Sequence, residues 1–240
     1  MKGARTKLLM LHGWGFPSAV FISLCEQLAA DFEIEMLDRP GYGDRAGQSK
    51  AALSNINSSA RLTSPTLVIG WSLGGLAALQ LALDQPDMVT GLVLLAGTPC
   101  FVKRQDWQAG MDKAIFEAFR KQVTDDQVLA MQQFVRLNSA AKPDRQTKVE
   151  LNALSGKVAA DALIDGLDEL ENTDLRGLIE KITVPVLLLH ASDDRIVPVA
   201  ASHYLHQHIA SSQLVELETG GHAFFLQHSS EVASQIRGFL

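Results

Sequence analysis

The sequence predicts an α/β fold: a mostly parallel sheet of about six strands flanked by helices, with a helical segment inserted between the fourth and fifth strands. Three observations carry this. Short runs of Leu, Val and Ile with little alternation recur along the chain, as expected of strands covered on both faces. Helical patterns separate these runs, so strand and helix alternate and the crossovers are right-handed. The alternation then breaks once, over residues 97–183, where the pattern is helical and no strand-like run occurs.

The strands are read at Lys7–Leu11, Glu33–Leu37, Thr66–Ile69, Gly91–Ala96, Val184–His190 and Gln213–Leu217. Helices are expected around Ala19–Ala30, Leu73–Leu83, Ala200–Ile209 and Glu231–Leu240. The second of these stops before Pro86, in keeping with a proline-containing exit from a helix. GQSKAALSNINSSARLTSP, before the third strand, is polar and reads as a loop. Within the long gap, QAGMDKAIFEAFRKQV, TDDQVLAMQQFVRLNSA and DRQTKVELNALSGK all carry helical patterns. The expected organisation is therefore a core of residues 1–100 and 179–240, with 101–178 as a helical cap over the C-terminal edge of the sheet. Open α/β sheets bind their ligands at that edge.

Composition narrows the function. The chain has 240 residues, 47% of them hydrophobic and 20% charged, as in ordinary globular proteins. No apolar run approaches the roughly 18 residues of a membrane helix. The first residues, MKGARTKLLMLHGWG, hold an apolar run too short for a leader, and it ends in HGWG instead of a small-residue cleavage site. Two cysteines, Cys25 and Cys100, without a C-x-x-C pair suit buried thiols in a reducing compartment. A cytoplasmic monomer is expected. The net charge of −6 argues against general nucleic-acid binding. That charge is uneven. Residues 103–148 hold nine Lys/Arg against six acids, and residues 150–180 hold eight acids against Lys157 and Arg176. Two solvated helical faces would explain this, and so would a basic surface for an acidic partner.

The most informative stretch is VIGWSLGGLAAL, residues 68–79. It runs strand, G-x-S-x-G, helix, the context in which that motif carries chemistry. Gly70 and Gly74 let backbone pass close by, and Ser72 is held on a sharp turn with its Oγ at the sheet edge. The Leu73 N–H then opens a helix and points to where an oxyanion would form. A nucleophilic serine needs a base, and the base needs an orienting acid. HASDDRIVP follows the fifth strand and ETGGHAFF the sixth, so both emerge at the edge that carries Ser72. His222, after Gly220 and Gly221, is the expected base. Of two adjacent aspartates, Asp194 fits D-x-x-V-P and is favoured; Asp193 is one residue early. Among the other histidines, His190 reads as packing at a strand end and His12 as architectural. A metal site at His203, His206 and His208 is not expected, and no cofactor is required. In the first loop, LHGWGF, the Trp14 N–H is the candidate second oxyanion donor. Its indole is read as an acyl-pocket wall or as simple core packing.

Together HGWG (12–15), DRPGYG (38–43), GWSLGG (70–75), D-x-x-V-P (194–198) and GGH (220–222) resemble the α/β-hydrolase superfamily, in order and over nearly the whole chain. With TPCF (98–101) and GLDELENTDLRG (166–177) the chain is most similar to the pimeloyl-acyl-carrier-protein methyl ester esterases of biotin synthesis. The resemblance implies an α/β-hydrolase fold and a serine carboxylesterase. Ser72 would be its nucleophile, Asp194 the orienter and His222 the base, with Trp14 and Leu73 at the oxyanion site. It implies that FVRLN lines the acyl channel, with Phe134 and Asn138 as contacts. It implies an acyl carrier protein as the partner bearing the substrate, docked on Arg136, Lys142, Arg145 and Lys148. Leu129 and Gln133 occupy places where further cations would have strengthened that surface. The same three residues would also serve a general short-acyl esterase, a thioesterase or a C–C bond hydrolase. A receptor on a hydrolase fold would have no need to keep all three. A serine at position 72 disfavours dehalogenase or epoxide hydrolase chemistry, where an aspartate nucleophile is expected.

Overall fold

A computed structural model describes residues 5–48, 62–139 and 145–239. Its centre is one parallel sheet of β1 (Thr6–Leu11), β2 (Phe32–Leu37), β3 (Thr66–Trp71), β4 (Val89–Leu95), β5 (Val186–Ala191) and β6 (Ser212–Leu217). The spatial order is β2-β1-β3-β4-β5-β6. The chain moves from β1 outward to β2, returns across β1 to β3, and then proceeds in one direction. The direction of winding therefore reverses between β1 and β3, and a crevice opens beyond their C-terminal ends. HGWG leaves β1 there and GWSLGG leaves β3.

Burial explains the composition of the strands. All six residues of β3, Thr66–Trp71, are buried, as are all six of β5. Both lie inside the sheet with helices on each face, so neither needs a polar alternation. The edge strands differ. β2 alternates through Glu33 and Glu35, and β6 exposes Gln213 and Glu216. Charged side chains on an edge discourage pairing with another chain. Helix α1 (Ile22–Leu28) follows a short 3₁₀ turn at Ser18–Phe21, so the single helix expected over 19–30 is divided. Helix α2 (Leu73–Asp84) is buried along nine of its twelve residues, and its Gly and Ala positions allow close contact with the sheet. Burying each large side chain at such contacts contributes about 1.5–3 kcal/mol.

Between β4 and β5 lie α3 (Lys113–Asp125), α4 (Gln127–Asn138), α5 (Arg145–Leu154) and α6 (Ala160–Asn172). The helical patterns of the long gap mark the first three of these and not α6. The residues before Lys113 form irregular turns, where Lys103 N donates to Met111 O and Trp107 N to Arg104 O. Asp112 and Asp126 cap α3 and α4, accepting from Ala114 N and Leu129 N at 3.0 Å each. The base of the inserted segment is closed where Leu175 N donates to Pro99 O at 2.8 Å. The DRPGYG loop grips its far side: Ala159 N donates to Gly41 O, and Gly43 N to Lys157 O. Gly41 has φ +81°, and a Cβ there would lie 2.3 Å from Ala162 Cβ. The core closes with α7 (Ala200–His208), α8 (Phe224–Gln227) and α9 (Ser229–Phe239). No helix among the described residues is long and apolar enough to cross a membrane.

Candidate active site

Ser72 sits between β3 and α2 at φ 54°, ψ −115°, one of two non-glycine residues with positive φ among those described. A β-carbon on such a residue is strained, and surrounding structure must hold it there. Here the hold is visible. A Cβ on Gly70 would lie 2.4 Å from Gly74 O, and one on Gly74 would lie 2.0 Å from Leu11 O. Only glycine lets the turn fold back this tightly on β1. Ser72 N donates to Leu95 O at 3.0 Å, and Gly75 N to Ser72 O at 2.8 Å. Leu73 is the first residue of α2, so its N–H has no acceptor within its own helix.

The loops that carry the candidate acid and base converge from β5 and β6. His222 Nδ1 lies 2.7 Å from Asp194 Oδ2, with both side chains fully buried. Asp194 Oδ1 accepts from Ile196 N at 2.8 Å and Val197 N at 3.0 Å, which locks the carboxylate to its own turn. Burial alone would raise the Asp194 pKa. The adjacent His222, with hydrogen bonds from His190 and His222, outweighs it and holds the carboxyl well below the usual carboxylate range. Asp193 turns the other way and accepts from Gly221 N at 2.8 Å. The two aspartates thus divide the work: one meets the imidazole, the other ties down the loop that presents it. Gly220 and Gly221 have φ +135° and +68°, Trp71 Nε1 donates to His222 O at 3.0 Å, and Ala223 N donates to Asn138 O at 2.9 Å. The far nitrogen, His222 Nε2, is buried and makes no hydrogen bond with a described residue. An imidazole held at Nδ1 by a carboxylate, with Nε2 open, is arranged to take up a proton at Nε2.

Ser72 lines a cavity of about 330 Å³ walled by Trp14, Phe101, Phe116, Phe134, Leu167 and Ile196, among others. Such a volume and lining suit a small apolar ligand. Trp14 is both a cavity wall and a packed side chain. Its indole lines the cavity, and it is also packed edge-on against Phe134 at 4.7 Å and Phe119 at 5.4 Å, with Nε1 donating to Leu163 O at 2.8 Å. Gly166 is what admits it, since a Cβ there would lie 2.6 Å from Trp14 Cδ1. Phe134 lines the same cavity. Asn138 is fully buried and serves the backbone: Nδ2 donates to Phe134 O, and its carbonyl receives Ala223 N–H. Arg136, Arg145 and Lys148 are exposed, and their side chains make no ion pair among the described residues. Four other cations of the basic segment are paired: Arg104 with Asp174, Lys113 with Glu117, Arg120 with Asp168 and Glu171, Lys121 with Asp125. Lys142 lies outside the described residues.

His12 is architectural. Its Nε2 accepts from Arg39 N at 3.0 Å and its Nδ1 faces Gly13 O at 2.9 Å. Sequence reasoning missed His190, whose ring reaches Asp194 Oδ2 at 3.2 Å as well as packing. It stands near the end of β5, four residues before Asp194, and that spacing does not say which way the ring points.

The profile of the alpha/beta hydrolase family matches residues 8–235. The chain belongs to this family. Within it, the chain is 34% identical over 239 residues to a pimeloyl-[acyl-carrier protein] methyl ester esterase of Xanthomonas campestris pv. campestris (strain B100), covering 97% of this chain and 94% of that one. It is 34% identical over 234 residues to a protein of the same name from Nitrosomonas europaea, covering 95% and 92%. Among solved structures, an esterase from Exiguobacterium antarcticum superposes with a TM-score of 0.86 at 23% identity, covering 99% of this chain and 92% of that one. A bromoperoxidase from Bacillus anthracis does so with a TM-score of 0.87 at 20% identity, covering 99% and 92%. These two likenesses establish the hydrolase fold.

Proposed function

We propose that this hydrolase is a serine carboxylesterase that cleaves the methyl ester of a pimeloyl chain carried on acyl carrier protein. The observation that carries the chemistry is the His222 ring, fixed to Asp194 at Nδ1 with Nε2 buried and open, on a loop that leaves the same sheet edge as the strained Ser72, which lines an apolar cavity. Ser72 Oγ attacks the ester carbonyl while His222 Nε2 takes its proton. The Trp14 and Leu73 N–H groups receive the oxyanion. His222 then gives that proton to the methoxy oxygen, which departs as methanol and leaves an acyl-enzyme on Ser72. Water, deprotonated by His222, releases the acid. No step uses a metal or cofactor. The apolar walls also favour turnover, because a neutral ester is at ease there and an ionised carboxylate is not. In this reading residues 101–178 are a cap that supplies most of the cavity wall.

The choice of ester is supported by the names of the relatives and by the exposed Arg136, Arg145 and Lys148, which suit an acidic carrier. The deciding experiment compares carrier-bound pimeloyl methyl ester, free pimeloyl monomethyl ester and a short p-nitrophenyl ester. The expected result is a strong preference for the carrier-bound ester that weakens at high salt. Equal rates on all three would leave a promiscuous esterase. Ser72→Ala is expected to lower turnover by several orders of magnitude with the fold intact. Substantial turnover by the pure variant would sink the mechanism.

A further inference from the structure

Asp194 is touched by two histidines, and the mechanism uses only one. His190 stands near the end of β5 with its side chain fully buried. Its Nδ1 is 2.7 Å from Ser202 Oγ of α7. Its Nε2 is 3.2 Å from Asp194 Oδ2 and 3.0 Å from Val197 O. An ionised carboxylate and a backbone carbonyl can only accept, so Nε2 carries the proton and shares it between them. Nδ1 is then the acceptor for the Ser202 hydroxyl. The consequence falls on Asp194. Oδ2, the oxygen that holds His222, receives a second N–H from His190, while Oδ1 is taken by the Ile196 and Val197 amides. Part of the negative charge that would stabilise a protonated His222 is therefore drawn off by His190.

The geometry points to His190 as a positioning residue for the ester hydrolysis: it fixes Asp194 Oδ2 and weakens that oxygen's hold on protonated His222, so the enzyme stays active to lower pH. This rests on Asp194 and His222 acting as proposed above. Other charged groups on elements around β5 are otherwise engaged. Asp193 is on Gly221 N, and His203 of α7 is on Glu216 of β6 at 2.6 Å. Arg195 Nη2 is on the carbonyls of Arg136 and Ser139. β4 presents only apolar side chains from Leu92 to Leu95.

The test is the pH dependence of kcat/KM on a short p-nitrophenyl ester for the wild type, His190→Leu, His190→Gln and Ser202→Ala, each with a melting curve. His190→Leu is expected to move the acid limb to higher pH by about half a unit to one unit, a fraction of the weight of a hydrogen bond to an ionised carboxylate, since His190 shares its proton with the Val197 carbonyl. His190→Gln, whose side-chain amide replaces the lost donor, should leave the limb close to its wild-type position. Ser202→Ala, which frees the ring from its proton-fixing partner, should move the limb in the same direction by less. If folded His190→Leu has an unmoved or lowered limb, the inference is overturned. So is it if His190→Gln moves as far as His190→Leu. Should His190→Leu not fold, Ser202→Ala decides by the same criterion. Turnover surviving in Ser72→Ala would be a separate failure, that of the reading on which this one rests.

Discussion

Acid should loosen this protein through His12, and the size of the effect follows from the surroundings of that ring. The side chain is fully buried. Its Nε2 accepts the Arg39 N–H at 3.0 Å, a bond that exists only while Nε2 is unprotonated. Burial pushes its pKa down from 6.5 to about 4; the Arg39 charge adds to this, while the Gly13 carbonyl and Asp38 oppose it. The folded ring thus stays neutral through a window in which the unfolded chain binds a proton. The sign follows. Stability rises with pH between about 4 and 6.5, is fully present above that window, and is lost as pH falls through it. At 1.36 kcal/mol per pKa unit, the shift corresponds to about 3 kcal/mol by pH 4. Urea unfolding of the wild type and His12→Gln at several pH values from 7 to 4 measures this. Glutamine can still accept from Arg39 N–H, and it does not titrate. Carboxylates shared by both proteins cancel in the difference. The wild type should therefore lose about 3 kcal/mol relative to His12→Gln across the window. Parallel pH profiles for the two proteins would refute the reasoning, since the ring would then titrate alike folded and unfolded.

Three further outcomes are expected. Asp194→Asn should collapse turnover, because the amide cannot stabilise a protonated His222. Asp193→Asn should leave most of it, since its carbonyl can still accept the Gly221 N–H; steady-state kinetics separate the two. Gly74→Ala should lower the melting temperature sharply and abolish activity, because its methyl would sit 2.0 Å from the Leu11 carbonyl oxygen with no flexible neighbour to yield. A native melting curve for that variant would contradict the account of the turn. Replacing Arg136, Arg145 and Lys148 together by Ala should raise KM for the carrier-bound ester and leave the p-nitrophenyl ester unchanged. Equal effects on both substrates would argue for a structural role of these cations.

The site was legible in the sequence wherever its chemistry is local. Ser72 was found because a strained turn between strand and helix needs glycine at 70 and 74, and both glycines are within two residues of the serine. Asp194 was preferred over Asp193 on the D-x-x-V-P spacing, and the reason is equally local: its carboxylate binds the amides of Ile196 and Val197. Asp193 was set aside on the same spacing. Its bond to Gly221 N, from another loop, could not have been read there. Asn138 shows the same limit. The resemblance implies a channel contact for it, and nothing in FVRLN announces that its backbone carbonyl receives the amide next to His222.

By itself the sequence determined the strand-forming runs, the alternation with helices, the long helical interruption and the order in which serine, acid and histidine appear. These depend on periodicity, turn chemistry and chain direction, which short windows of residues express. The tertiary structure alone decided which strands are neighbours, that β1 and β3 flank the reversal of winding, and that Trp14 is clasped by Leu163 and Phe134. It alone brought a second histidine to Asp194. Those facts are contacts between segments far apart in the chain, or between side chains whose direction is set by packing, and no local pattern of residues encodes them.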